Sequence, residues 1–263
     1  MIFITGDTHG GLDIEKLAKK RFPKGKRLNR DDYLIVCGDF GFPFLSTDAD
    51  PLDKMPANQR ERSSQKSCHY WCKWLSQQPY TILWLDGNHD NHPYWYARPT
   101  SSWKGGLVNV HPLADNVLHL KRGECYDLDG FTFWVMGGAE SHDKEYRTAG
   151  YSWWEEEIPS RAERDHGLET LAAHGHRVDF ILTHTIPQCL IAPSLTGLMP
   201  SEPTRDYLSE VYLSTSFRYW FAGHLHQDQT NEKYRLRLCY NEIVCLNDFL
   251  RPHARFARPG REA

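Results

Sequence analysis

The chain lacks the features that mark a membrane protein, a secreted protein or a multidomain assembly. Its N-terminus, MIFITGDTHGG, has no positively charged region and no apolar run long enough for a signal peptide or a membrane span. No Pro/Ser-rich linker, low-complexity tract or duplicated module divides the 263 residues. We therefore expect a single soluble domain over residues 1–263, located in the cytoplasm and without a membrane partner.

Charge and cysteine content exclude further classes of protein. The net charge of −3 gives no global attraction to nucleic acid or to an anionic membrane. The 7 cysteines are an odd number and lie mostly within apolar runs, which is typical of buried thiols in a reducing compartment. Cys68 and Cys72 share a predicted helical face with Trp71 and Leu75, so core packing is favoured over a metal clip.

Short apolar runs bounded by Gly, Asp, Asn or His predict strands that are buried on both faces. The predicted strands are Ile2–Thr5, Tyr33–Cys37, Thr81–Leu85, Phe131–Met136, Phe180–Thr183 and Tyr219–Ala222. Helical patterns occupy residues 14–22, 58–77, 160–175 and 204–213, and SRAE at residue 160 fits a capping box. Hairpins are predicted around Asp129-Gly130 and around Asn241-Glu242. The alternation predicts an α/β fold with mixed sheets.

Five predicted strands are followed by side chains that commonly bind metals. These side chains are Asp7 and His9 in GDTHG, Asp39 in GDFG, Asn88, His89 and Asp90 in GNHD, His184 after FILT, and His224 and His226 in GHLH. Ligands of open α/β sheets bind beyond the carboxyl ends of the strands. A mixture of Asp, Asn and His suits a divalent first-row metal, and the number of candidate ligands implies two ions. Each motif alone also fits a turn or a hydrogen-bonded histidine, but their ordered recurrence favours a site.

In this order the five motifs resemble the calcineurin-like metallophosphoesterase superfamily, whose pattern is D-x-H, G-D, G-N-H-D/E, H and G-H-x-H. The resemblance implies a four-layer αββα sandwich of two mixed β-sheets flanked by helices, with a dinuclear metal site at one edge. It assigns Asp7, His9 and His226 to one ion, Asn88, His184 and His224 to the other, and Asp39 to both. Manganese is the first expectation for these two divalent or transition-metal ions, with iron or zinc as alternatives.

The same resemblance implies a hydrolase acting on phosphate esters. A metal-bound hydroxide attacks phosphorus, and His89 protonates the leaving-group oxygen or stabilises its developing charge. Asp90 either orients the His89 imidazole or caps the turn. His92, which precedes Pro93, is expected at the surface.

Departures from the family pattern bear on the substrate. GDFGFPF lacks the Asp-Arg pair that protein Ser/Thr phosphatases carry in this motif, so a phosphodiesterase or small-molecule phosphatase fits better. Residues 137–159, GGAESHDKEYRTAGYSWWEEEIP, resemble a run in uncharacterised bacterial and phage metallophosphoesterases. In this run Lys144, Arg147 and His142 are candidate substrate contacts, and Trp153 and Trp154 are candidates for stacking on a base. Alternatively, the tryptophans pack under the next helix and the two cations pair with neighbouring acids.

The expected substrate is therefore a phosphate mono- or diester. A nuclease or nucleotide phosphodiesterase is the alternative enzyme, and the eight cations of residues 16–30 would serve it. An ordinary solvated surface is the favoured explanation of that basic run, and polar residues 46–66 are a candidate loop beside the site. A non-catalytic interaction scaffold of the same fold would show eroded ligand positions, whereas all of them are present.

Overall fold

Two mixed β-sheets form the centre of the protein. The computed structural model describes residues 1–46, 48, 63–194 and 199–250. In the first sheet, of order β13-β1-β2-β3-β6-β5-β4, the strands are β1 (Ile2–Thr5), β2 (Tyr33–Cys37), β3 (Thr81–Leu85), β4 (Ser101–Trp103), β5 (Gly106–His111), β6 (Ala114–Leu120) and β13 (Val244–Cys245). In the second sheet, of order β11-β12-β10-β9-β8-β7, they are β7 (Cys125–Leu128), β8 (Phe131–Met136), β9 (Phe180–Thr183), β10 (Tyr219–Ala222), β11 (Gln229–Asn231) and β12 (Leu236–Leu238).

The six predicted strands are confirmed with their bounds unchanged, and each sheet contains three of them. β1, β2 and β3 pair in parallel in the first sheet, and β8, β9 and β10 do so in the second. Parallel neighbours end at the same edge of a sheet. The loops that carry the candidate metal ligands therefore leave the sheets on the same side.

Alternating side chains of these strands fill three hydrophobic clusters, which separate four layers. Ile2 and Ile4 face the second sheet in the central cluster, while Phe3 between them faces the outer side of the first sheet. Burial on both faces accounts for the nearly continuous apolar runs of these strands. The four-layer αββα prediction is confirmed.

Helices cover the outer faces of both sheets. They are α1 (Ser63–Ser76), α2 (His92–Tyr96), α3 (Arg161–Ala173), α4 (Ile191–Ser194) and α5 (Pro203–Ser214). Cys68, Cys72 and Leu75 of α1 pack on the first sheet, which confirms the core role of the two cysteines. The predicted capping box at the start of α3 is present, since Ser160 and Glu163 each accept a hydrogen bond from the backbone N–H of the other. No helix in the described ranges is long and apolar enough to cross a membrane.

The hairpin predicted around Asn241-Glu242 is wrong. β12 pairs with β10 and β11 in the second sheet, whereas β13 pairs with β1 in the first, so residues 239–243 cross between the sheets. The carboxylate of Asp228 accepts the backbone N–H groups of Tyr240, Asn241 and Glu242 at 2.9–3.1 Å. This carboxylate satisfies the donors that a hairpin ladder would otherwise have used.

The helix predicted over residues 14–22 is also wrong in part, and so is the surface role predicted for the whole basic run. Residues 14–17 form one turn of 3-10 helix, and Ala18 is already extended. Lys16 is buried, and its ammonium group donates to the backbone carbonyls of Gly6, Asp7 and Tyr240, so it fastens the loop after β1 from beneath. The other seven cations of the run are exposed. The loop predicted over residues 46–66 lies largely outside the described residues.

Candidate metal centre

The loops after β1, β2 and β10 hold their candidate ligands in an unusual backbone conformation. Five of these residues have positive φ: Asp7 (29°), His9 (43°), Asp39 (50°), His224 (65°) and His226 (49°). Non-glycine residues adopt this region rarely and at a cost in free energy, and such residues cluster at functional sites. The surrounding structure holds the five residues in place against this cost.

Glycines allow the loops to approach each other closely. A Cβ atom at Gly87 would overlap the carboxylate of Asp39, and one at Gly223 would lie 2.6 Å from Oδ1 of Asp7. Only a residue without a side chain fits at these two positions. The glycines of GNHD and GHLH are therefore required for the candidate ligands to converge.

Asp39 lies at the centre of the cluster. Its Oδ2 is 3.3 Å from Nε2 of His9, and its Oδ1 is 3.3 Å from Nε2 of His184. Possible ligand atoms of two trios, His9/Asp39/His226 and Asp7/Asp39/His184, lie within 4.8 Å of one another in each trio. Asp39 belongs to both trios and is the residue that they share.

Two of the histidines are oriented by hydrogen bonds at the far side of the ring. Nδ1 of His9 lies 2.7 Å from Oδ2 of Asp13, and Nδ1 of His184 lies 2.9 Å from the carbonyl oxygen of Cys37. Carboxylate and carbonyl oxygens only accept, so both Nδ1 atoms donate. In a neutral imidazole this arrangement leaves Nε2 with a free lone pair, and an outer partner of this kind is usual for metal-binding histidines.

Asp7, His226 and His224 complete this side of the cluster. Asp7 is fully buried, and its Oδ2 lies 3.6 Å from Nε2 of His226 and accepts the backbone N–H of His224 at 3.0 Å. The His226 ring is half-exposed and stacks on Tyr240 with 4.6 Å between the ring centroids. The His224 ring lies 4.9 Å from that of His184. All three residues are therefore within the cluster.

The GNHD motif supplies Asn88, His89 and Asp90 to different partners. Oδ1 of Asn88 lies 3.0 Å from Nε2 of His184, within the cluster. His89 lies at its margin, and its backbone N–H donates to Oδ1 of Asp39 at 2.8 Å. Asp90 accepts backbone N–H groups of Gly87 at 2.7 Å and of Gly41 at 2.7 Å. Of the two roles predicted for Asp90, these contacts fit a cap that joins two loops.

Burial and the proximity of two like charges make the ionised carboxylates of this cluster unfavourable unless positive charge compensates them. Burial, with the charge of Asp39 added, raises the pKa of Asp7 to about 6. Burial lowers the pKa of His184, but the Asp39 and Asp7 carboxylates outweigh it and raise that pKa to about 10. Every ion pair that Asp7 and Asp39 make with a described residue is to a histidine. The two carboxylates therefore hold protons on imidazoles that would otherwise be neutral.

The donor set fits divalent cations. Buried charges in proteins are usually paired or coordinate metals, and among the described residues the ion-pair partners of these buried carboxylates are all titratable histidines. Oxygen and imidazole nitrogen donors suit manganese, iron and zinc alike. The residues that could hold the ions are Asp7, His9, Asp39, Asn88, His184, His224 and His226.

The substrate candidates of residues 137–159 surround the cluster unevenly. Nη2 of Arg147 lies 3.4 Å from Nε2 of His89, and the same guanidinium pairs with Asp143 at 2.6 Å. Lys144 pairs with Glu140 at 2.8 Å and with Glu157 at 3.3 Å. His142 is exposed, with its ring 6.1 Å from that of His224. The predicted pairing of both cations with nearby acids is thus confirmed, and Arg147 also reaches His89.

The two tryptophans differ in exposure. Trp154 is buried and packs edge-on against Phe44 with 6.4 Å between the ring centroids. Trp153 is partly exposed and lines an open cavity of about 540 Å³ together with Ala149 and Ile158. Packing therefore accounts for Trp154, whereas a face of Trp153 remains accessible.

Sequence reasoning missed several residues that support the cluster. They are Asp13 behind His9, Lys16 beneath Asp7, Tyr240 under His226, Ser141 beside Asn88, and Glu157 beside Ser141. None follows a strand within a ligand motif. The sequence contains no signal that Glu157 is buried, because it is the last of three consecutive glutamates. The structure buries Glu157 alone and leaves the other two exposed. His92, expected at the surface, is 1% exposed.

Comparison with known proteins identifies the family of the chain. No match was found among the curated proteins. The model of the calcineurin-like phosphoesterase family matches residues 1–228, a range that contains every candidate ligand. The chain belongs to the calcineurin-like phosphoesterase family.

Proposed function

We propose that the protein hydrolyses phosphate mono- or diesters at a site that binds two divalent cations. The family is one of metal-dependent phosphoesterases, and the observation that carries the finer proposal is the shared position of Asp39 in two trios of possible ligands. One ion would be held by Asp7, His9 and His226, and the other by Asn88, His184 and His224, with Asp39 bound to both. When bound, such cations supply Lewis-acid polarisation of the phosphoryl group and activation of water near neutral pH.

The contacts of His89 support a role at the leaving group. Nδ2 of Asn88 and Nη2 of Arg147 lie 3.1 and 3.4 Å from its Nε2, and both are donors, so Nε2 accepts. Burial, with the charge of Arg147, lowers the pKa of His89. The neutral ring then carries its proton on Nδ1, which has no hydrogen-bond partner among the described residues. We infer that Nδ1–H donates to the leaving-group oxygen and stabilises its developing charge.

Arg147 is the candidate for holding a phosphoryl oxygen. Its guanidinium is near His89 and partly exposed, and its planar N–H groups match the geometry of phosphate. Lys144 is engaged by two glutamates and His142 is exposed, so they are proposed only as outer contacts that a larger substrate would reach.

A screen of substrates and metals tests the proposal. Metal-free protein is supplied in turn with Mn²⁺, Fe²⁺ and Zn²⁺ and assayed on an aryl phosphate monoester and on the matching diester. We expect hydrolysis that depends on added metal and a preference for one of the two esters. Absence of hydrolysis with every metal on both esters would contradict the proposal and favour the interaction scaffold.

A pair of variants tests the separate roles of His89 and Asp39. We expect His89→Ala to retain metal while kcat falls by about 100- to 1,000-fold, the usual range for loss of a hydrogen-bond donor to a developing negative charge. Asp39→Ala should lose metal. Equal metal loss in the two variants would show that the division of roles is wrong.

The nucleic-acid alternative is tested on the exposed basic run. If it contributes affinity for single-stranded DNA, joint replacement of Lys19, Lys20 and Lys24 by Gln should reduce the slope of log affinity against log salt. An unchanged slope removes the run from consideration and leaves a small phosphate ester as the proposed substrate.

A further inference from the structure

Residues 137–159 contain two buried polar side chains that the proposed chemistry leaves without a role. Ser141 is 4% exposed and Glu157 is 0% exposed. A carboxylate buried to this extent is unfavourable unless its oxygens are hydrogen-bonded or paired. Its partners therefore indicate what it holds in place.

Glu157 directs both of its oxygens at Ser141. Oε1 accepts the backbone N–H of Ser141 at 2.9 Å, and Oε2 lies 2.5 Å from Oγ of the same residue. Lys144 adds a positive charge 3.3 Å from Oε1. These three contacts, one of them to a cation, compensate the burial of the carboxylate.

Oγ of Ser141 also contacts Asn88. Nδ2 of the Asn88 amide lies 3.0 Å from this oxygen, while Oδ1 of the same amide lies 3.0 Å from Nε2 of His184. Ser141 thus stands between a buried carboxylate and a candidate metal ligand.

The order of donors along this chain of contacts follows from chemistry. An ionised carboxylate accepts hydrogen bonds and never donates, so the Ser141 hydroxyl must give its proton to Glu157. The lone pairs of Oγ then receive an N–H from the Asn88 amide. The NH₂ end of that amide is held toward Ser141, and its oxygen faces His184 and the metal cluster.

We propose that Ser141 and Glu157 are positioning residues that select the metal-binding orientation of the Asn88 amide. The proposal rests on the proposed function, in which Oδ1 of Asn88 binds one of two ions. An amide has nearly the same shape in its two orientations, but only the oxygen end coordinates a cation. Ser141 and Glu157 exclude the orientation that would present NH₂ to the ion.

Two variants change the selection in different ways. Ser141→Ala removes one of the two acceptors of the Asn88 NH₂ group and leaves only Nε2 of His89, at 3.1 Å, so the preference for the observed amide orientation is weakened. Glu157→Gln keeps the shape of the side chain but can donate to Oγ of Ser141, which allows the hydroxyl to reverse. We expect each variant to weaken the binding of one ion by about 10- to 100-fold, the usual effect of losing an outer partner of a metal ligand. The other ion should keep its affinity within about threefold.

The test is a titration of the metal-free full chain with Mn²⁺. Binding is measured by calorimetry and by the electron paramagnetic resonance signal of free Mn²⁺. Ser214→Ala, at the exposed end of α5, is the matched control, and thermal unfolding of each metal-free variant checks that it folds. Excess Mn²⁺ should restore kcat in Ser141→Ala. Rescue by metal and loss at only one site are effects that a general weakening of the fold would not produce.

Wild-type affinities for both ions in Glu157→Gln would overturn the proposal, as would equal weakening of the two ions in both variants. Failure of the wild-type chain to bind Mn²⁺ would instead overturn the proposed function and the present inference together. The two failures are distinct, because the first appears only in the variants and the second already in the wild type.

Discussion

The protein buries two polar clusters side by side, and they are balanced in opposite ways. The metal cluster contains Asp7 and Asp39, whose ion pairs with described residues are all to histidines. The second cluster consists of Asp86, two residues before Asn88 in the chain, with His92, His119 and Arg122, and all four side chains are buried. Here Oδ2 of Asp86 accepts from Nε of Arg122 at 2.7 Å, and Oδ1 lies 3.0 Å from Nε2 of His119.

The pKa values express this difference. Burial alone would raise the pKa of Asp86, but the Arg122 charge and the His119 hydrogen bond hold it well below its usual range. Burial also lowers the pKa of His119 to about 4 and that of His92 to about 3, so both rings stay neutral. In the metal cluster the pKa of Asp7 is raised instead. The second cluster compensates its carboxylate internally, whereas the metal cluster needs positive charge from protons or cations.

The largest differences between the two clusters are expected when one carboxylate in each is replaced. Asp7→Asn should lower Mn²⁺ affinity and kcat/KM by more than about 100-fold, because the proposed role of Asp7 is direct contact with an ion, and the loss of such a contact should exceed the loss of an outer partner. Its metal-free form should be as stable as wild type, since a buried like charge is removed. Calorimetric titration and urea unfolding measure the two effects, and a large loss of stability without metal would show that Asp7 is compensated after all.

The matching change in the second cluster should have the reverse outcome. Asp86→Asn leaves the Arg122 guanidinium buried without its carboxylate, and we expect a loss of about 3–5 kcal/mol in the free energy of unfolding. The folded fraction should still bind metal. Urea unfolding at neutral pH checks this prediction. A free energy of unfolding within about 1 kcal/mol of wild type would show that the second cluster does not stabilise the fold.

The two clusters should also respond oppositely to pH in metal-free protein. The folded pKa values of His9, about 9, and His184, about 10, exceed the ordinary histidine value of 6.5, so their contribution to stability is complete below pH 6.5 and is lost as pH rises through 9–10. His119 and His92 have lowered pKa values, so their contribution is present above pH 6.5 and is lost as pH falls toward 4 and 3.

Urea unfolding between pH 5 and pH 9.5 measures both slopes. Added Mn²⁺ should abolish the alkaline loss, because the ion replaces the protons on the imidazoles, and should leave the acid loss unchanged. An alkaline loss that persists at saturating Mn²⁺ would separate the histidines from metal binding.

A smaller effect is expected at Arg147, which is already paired but is not fully buried. Arg147→Lys keeps the charge and loses the planar pair of donors, so we expect KM to rise by about tenfold with little change in metal affinity or stability. Lys73→Arg on α1, outside the cluster, serves as a control for surface cations. An unchanged KM would show that Arg147 pairs with Asp143 but does not contact the substrate.

Local patterns were sufficient for much of the fold. The six strands that are buried on both faces have continuous apolar runs, and the capping box marks the start of α3. β6 was missed because ADNVLHL contains polar residues, yet Asn116 and His119 are buried with partners on other segments. Such partners are contributed by the tertiary structure and leave no local pattern.

The residues of the candidate site differ in the same way: some follow from local sequence patterns, and others depend on tertiary contacts. The convergence of the candidate ligands that directly follow strands could be predicted, since the strand ends bring them to one edge. Their supports could not, because Lys16, Ser141 and Glu157 act through contacts between distant segments. The crossing between β12 and β13 was also hidden, as it depends on the carboxylate of Asp228.

Anomalous diffraction from crystals prepared with Mn²⁺ tests the central claim most directly, namely that the uncompensated carboxylates of the metal cluster bind two cations. Two anomalous peaks roughly 3.5–4 Å apart, one on each side of Asp39, are predicted. No peak, or a single peak that does not contact Asp39, would contradict the account.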